Sequence, residues 1–200
     1  SYHGQFFFYE LAGLDYFKQH PEYLAKHRIP SDPFGRFAVS ALVRGRSPKT
    51  VIISGHFDIV DYDGYGDLKE YALHPYELAE HMSVDFMDED AREDMLSGNW
   101  LFGRGTGDMK FGIAQATAYI MEASLHPDFD GSVLFVAVPD EENNSAGMMA
   151  AIPALNEIRR RYGLEYRGFI NNEPHFKEDG YHLMDMGGVG KIMPAVFCVG

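Results

Sequence analysis

The run Ser132-Val-Leu-Phe-Val-Ala-Val138 carries no charge and no alternation of polar with apolar residues, and it constrains the fold more than any other stretch. A strand apolar on both faces belongs in the middle of a sheet that is covered on both sides. Phe37 to Val43 and Val51 to Ser54, joined by a polar turn, read as further strands, as do Arg167 to Ile170 and the β-rich stretch Val189 to Val199. Helical spacing appears between them. Leu11, Leu14 and Phe17 predict a short helix over residues 9–19 that stops before Pro21. Ile113, Ala116, Ala118, Ile120 and Met121 predict a buried helix over 109–125, starting just after Asp108. Met148, Met149, Ile152, Leu155, Ile158 and Tyr162 predict a third helix with a core stripe, capped by Ser145 and kinked at Pro153. Strands alternating with helices imply an α/β domain with a largely parallel sheet, whose ligand site lies beyond the carboxyl ends of the strands.

Residues 61–99 interrupt this alternation with a polar, acid-rich stretch, read as a surface insertion with one short helix at Pro75 to His81. Its run Asp85 to Asp94 reads as a solvated face, with cation binding as the alternative. The 200 residues, 46% apolar, suit one domain with a buried core. The 17 Lys+Arg against 30 Asp+Glu leave a formal charge of −13, which disfavours nucleic acid and anionic membrane surfaces as partners. Cys198 is the only cysteine, so no internal disulfide can form, and the cytoplasm is the expected location. It sits in an apolar stretch, where an inert thiol is expected. No apolar run approaches the roughly 20 residues that span a bilayer, and no basic region precedes the short apolar start, so no signal peptide is expected.

Acidic and imidazole side chains recur where apolar runs end: His56 and Asp58, then Asp108, then Glu141 and Glu142, then Glu173. Such a set suits a divalent cation. Each element has a plainer reading. His56-Phe-Asp58 could be a satisfied core histidine, or a ligand whose second ring nitrogen is held by the carboxylate two residues on. Asp108 follows glycines at 103, 105 and 107 that match no phosphate-loop pattern; it either caps a helix or bridges two cations. Glu141 and Glu142, being adjacent, can divide metal binding from general-base work, or simply form a solvated acidic turn. Of the histidines, His3, His20, His27, His74, His81 and His126 read as surface residues, while His175 and His182 stand near Glu173 in sequence.

The series His56-Phe-Asp58, Gly103-Arg-Gly-Thr-Gly-Asp-Met-Lys110, Pro139-Asp-Glu-Glu142 and Asn172-Glu-Pro174 resembles the M20 family of dinuclear zinc peptidases and amidohydrolases. Within it, Asn99 to Gly105, Val138 to Met148 and Gly187 to Pro194 are most similar to the arginine-utilisation (RocB-type) branch. The resemblance implies a three-layer, zinc-exopeptidase-like catalytic domain with a mixed, largely parallel sheet. It implies two divalent metal ions, zinc first, with cobalt and manganese also suited. His56 and Glu173 would hold one ion, Glu142 the other, and Asp108 both. Glu141 would be the general base, Asp58 would orient His56, and the Asp108–Met109 peptide would be cis. The family's reaction is hydrolysis of an amide in a small peptide or N-acylated amino acid. Members also carry an inserted dimerisation or lid domain and a late metal-binding histidine, so these residues are expected to be the front portion of a homodimeric protein, incomplete as a catalytic domain and inactive alone. Two rival functions stay open: hydrolysis of another bond, such as an ester or a deacetylation substrate, and a non-catalytic metal-binding scaffold.

Overall fold

The structure, a computed structural model, describes residues 2–174 together with Tyr181, Met184 and Met186. Five strands form one mixed sheet: β1 (Leu24–Arg28), β2 (Phe37–Arg44), β3 (Lys49–His56), β4 (Ser132–Val138) and β5 (Glu165–Asn171). Their spatial order is β1-β2-β4-β3-β5. β4 pairs antiparallel with β2 and parallel with β3, and β3 pairs parallel with β5. The antiparallel pairing of β1 with β2 completes the sheet.

The apolar run at 132–138 takes the central place its composition requires. Every residue of β4 is buried, and period-two alternation sends its side chains into two cores. Val133, Phe135 and Ala137 pack with Leu11 and Phe17 from helices α1 (Tyr2–Ala12) and α2 (Asp15–Gln19), and with Ile113, Ala116 and Ile120 from α5 (Gly112–Leu125). Leu134, Val136 and Val138 pack on the other face with Ala151 and Leu155 from α6 (Ala146–Tyr162). Each of these larger side chains contributes about 1.5–3 kcal/mol on burial, so the two faces together anchor the sheet.

Several expectations shift. The single helix over 9–19 is two helices separated at Gly13-Leu14, the first reaching back to Tyr2. β1 was hidden by Lys26, His27 and Arg28, charges that are ordinary on an edge strand. His27 is not a plain surface residue: its Nε2 lies 2.7 Å from Ser40 Oγ on the neighbouring strand. Within 61–99, α3 (Pro75–His81) forms as expected, and a further helix, α4 (Glu89–Ser97), had no periodic signal because it buries no residue. Its ends hold it: Asp88 Oδ1 accepts from Ala91 N at 2.8 Å, and Gly98 closes it in the left-handed region at φ 70°. The stretch Val189 to Val199, with Cys198, lies outside the described residues.

The α6 stripe is also redistributed. Met149 and Ile152 face outward, 66% and 45% exposed, while Gly147, Ala151 and Leu155 face the sheet. Size, not hydropathy, selects this face. A Cβ at Gly147 would stand 2.2 Å from the Pro139 carbonyl oxygen, so only glycine lets the helix start against β4's end. Alanine favours helix over glycine by up to about 1 kcal/mol, yet overpacking against backbone that cannot rotate away costs roughly 1–3 kcal/mol. Gly147→Ala is therefore expected to lower the urea midpoint without changing the slope of the transition, and an unchanged or raised midpoint would contradict the close packing. Ser145 does not cap α6 through its side chain: it is left-handed itself (φ 53°), and Asp140 Oδ2 accepts from Ala146 N at 3.2 Å. The helix runs from Ala146 to Tyr162 through Pro153, which sits on its exposed side.

Candidate metal centre

Because β3, β4 and β5 run parallel, their carboxyl ends converge at one margin of the sheet. His56 is the last residue of β3 and is paired with Val138, while Asn172 N donates to Ser54 O at 2.8 Å and so brings Glu173 alongside. Phe57, 2% exposed, turns into the core beside Phe7, which leaves His56 and Asp58 on the opposite side of the chain. Asp108 arrives from the loop before α5. That helix starts at Gly112, not directly after Asp108, since an irregular turn over Thr106–Phe111 with a cis Asp108–Met109 peptide intervenes. Asp108 therefore does not cap it. Gly112 lets α5 approach the third strand end, with Asn172 Nδ2 donating to its carbonyl at 3.3 Å.

The ring of His56, 2% exposed, is the hub. Its Nε2 stands 2.9 Å from Asp108 Oδ1, 3.8 Å from Glu173 Oε2 and 4.0 Å from Glu141 Oε2. On the other side Nδ1 faces both the carboxylate (3.4 Å) and the backbone carbonyl (3.3 Å) of Asp58. Asp58 does more than contact the ring: its Oδ1 accepts from Glu141 N and its Oδ2 from Glu142 N, each at 3.1 Å. One carboxylate thus ties the end of β3 to the turn after β4.

Electrostatics follow from crowding anions around one imidazole. Burial works against a charge on His56, but the hydrogen bond and charge of Asp58, with Glu173 and Asp108, outweigh it and push its pKa up to about 9. Burial raises the Asp58 carboxyl, yet the His56 contact and the two backbone N–H groups bring it below the usual range. Glu142 is raised by burial first and then by Asp108, with His56 opposing. Glu173 is raised by burial and by Glu141 and Asp108, against His56 and the Asn171 amide 2.8 Å away. Burial and the neighbouring negative charges thus both work against ionisation of Glu142 and Glu173, and a cation placed among them would oppose both.

Donor chemistry fits a divalent ion. His56, Asp108 and Glu173 each offer an atom, and these atoms lie within 4.8 Å of one another. Nitrogen with carboxylate oxygen is a donor set shared by zinc, cobalt and manganese. Glu142 is outside that tight group among the described residues, although Asp108 acts on its carboxyl. His175 and His182 lie outside the described residues. The residues that sequence reasoning missed are Asp140 and Arg36, whose contact spans 104 positions and has no local signal.

Residues 52–184 match the model of Peptidase family M20/M25/M40. The chain is 36% identical over 203 residues to YqjN of Bacillus subtilis (strain 168), covering 98% of this chain and 36% of that protein. It is 35% identical over 196 residues to RocB of the same organism, covering 95% and 35%. A succinyl-diaminopimelate desuccinylase of Hydrogenovibrio crunogenus (strain DSM 25203 / XCL-2) is 28% identical over 132 residues, covering 62% of this chain and 30% of that protein. The chain thus spans about a third of the length of YqjN and RocB. No helix among the described residues is long and apolar enough to cross a membrane.

Proposed function

Since the chain belongs to the M20/M25/M40 peptidase family, we propose that it supplies most of the metal site and the general base of a hydrolase cleaving an amide in a small peptide or N-acylated amino acid. The observation that carries this reading is the meeting of His56, Asp108 and Glu173 within 4.8 Å, with Glu141 placed 4.0 Å from His56 Nε2. His56 and Glu173 would hold one divalent ion, Glu142 a second, and Asp108 would lie between them. Two such ions, zinc first, would supply Lewis-acid polarisation of the amide carbonyl and would acidify water. Glu141 takes the proton of the attacking water and returns it to the amine nitrogen as the C–N bond breaks. Asp58 keeps His56 turned toward the carboxylates while holding both glutamates by their backbone N–H groups.

A scaffold needs ligands but no base, so a further carboxylate beside the cluster favours catalysis over a purely structural site. The similarity to a desuccinylase supports an N-acyl amino acid as substrate class, and the resemblance to the RocB-type branch puts arginine-derived compounds first among those to try. The test uses the full-length protein with N-acyl amino acids, dipeptides and matched esters, with and without a chelator. Amide cleavage that is lost to the chelator and restored by zinc, cobalt or manganese is expected. Cleavage of esters alone would replace the amide reading, and bound metal without turnover of either would leave the scaffold.

A further inference from the structure

We propose that Arg36 is a positioning residue for the glutamate pair, acting through Asp140 on the turn that carries Glu141 and Glu142; this rests on the reading of Glu141 as base and Glu142 as ligand. Arg36 lies in the loop between β1 and β2, far from the metal donors in sequence. Its Nη1 donates to Asp140 Oδ1 at 2.6 Å, and Asp140 is 4% exposed. The guanidinium cannot swing away, because its Nε and Nη2 donate to Asp32 Oδ1 at 3.0 and 2.7 Å, and the Arg36 backbone N donates to Asp32 Oδ2 at 2.7 Å. A planar fork held by two carboxylates is a rigid strut in a way a lysine ammonium is not.

What the strut holds is a strained piece of chain. Asp140 has φ 70° and Ser145 φ 53°, left-handed conformations that residues with a Cβ rarely adopt and that persist where the surroundings hold them. Both carboxylate oxygens of Asp140 are in use, one on Arg36 and the other on Ala146 N at 3.2 Å, while its carbonyl accepts from Ser145 N at 2.6 Å. The left-handed step at Asp140 turns the chain out of β4 so that the next two N–H groups meet Asp58. Without Arg36, one oxygen of a buried carboxylate loses its cation and the step loses its outer support. Asp58 and the contacts of Asp140 to Ser145 N and Ala146 N then hold the turn without a cation behind them.

The experiment compares full-length wild type with Arg36→Met and Arg36→Lys, reading kcat, KM, denaturation midpoint and zinc retention against a competing chelator. Loss of an outer support of a metal site commonly costs about 10–100-fold in affinity or activity. Arg36→Met is expected to lower kcat within that range, to leave KM within about twofold, and to weaken the Glu142-dependent step of zinc binding about tenfold. The step carried by His56, Asp108 and Glu173 should stay at its wild-type strength. Arg36→Lys, which can reach Asp140 with one donor, should recover part of both losses. A lowered midpoint with wild-type kcat and wild-type zinc competition would overturn the proposal and leave Arg36 as a purely structural residue. Should Arg36→Met not fold, Arg36→Lys decides alone: wild-type kcat and zinc competition in it would refute a need for the fork. Absence of turnover in the wild type would defeat the hydrolase reading, and the zinc competition would still decide the role of Arg36.

Discussion

Asp108→Ala is expected to strip metal from the full-length protein, lowering zinc affinity by more than about 100-fold, since even outer-shell partners are worth about 10–100-fold. Activity should fall with it. The reason is central placement: Asp108 Oδ1 is 2.9 Å from His56 Nε2, and the same carboxyl acts on both Glu142 and Glu173. Stability should split by metal content. In the metal-free protein Asp108 repels Glu142 and Glu173, so its removal relieves crowded negative charge and offsets the lost contact to His56. The metal-free unfolding temperature should therefore stay near wild type. Added zinc should raise that temperature in wild type and not in the variant, because only a folded state that binds the ion gains from it. Elemental analysis and thermal unfolding with and without zinc check both halves. A variant that keeps stoichiometric metal would remove Asp108 from the ligand set, and one that unfolds far below wild type without metal would make its role structural.

Glu141→Gln is expected to leave metal in place and to lower kcat by about 10²- to 10⁴-fold, the usual contribution of a positioned general base. Glutamine keeps the side chain's shape and loses only the capacity to take a proton. The backbone N–H of residue 141 still reaches Asp58, so the turn should not move. Metal content and KM therefore act as controls against kcat. If kcat holds at the wild-type value, Glu141 is not the base.

Much of the candidate site is legible along the chain. His56, Asp58, Asp108, Glu141, Glu142 and Glu173 each follow an apolar run or a glycine-dense loop, and local pattern is enough to find such positions. The central strand is equally plain, because a run apolar on both faces has only one comfortable place in a sheet. Other features gave no signal for physical reasons. β1 is an edge strand rich in charge, α4 depends on its caps, and the inner face of α6 is chosen by how closely Gly147 approaches Pro139. Asp140 reads as one more acid in an acidic turn until Arg36 is found against it.

The amino-acid sequence by itself determined which residues form the core strands and which side chains stand at their ends, because burial preference and turn chemistry act over a few neighbouring positions. Only the tertiary structure decided that β3, β4 and β5 lie parallel, with carboxyl ends in register, and that Asp108 enters between them. It alone decided that Asp58 would brace the glutamate turn and that Arg36 would brace Asp140. Those contacts join residues 52 to 104 positions apart, and at such separations geometry is set by how the layers pack around the sheet.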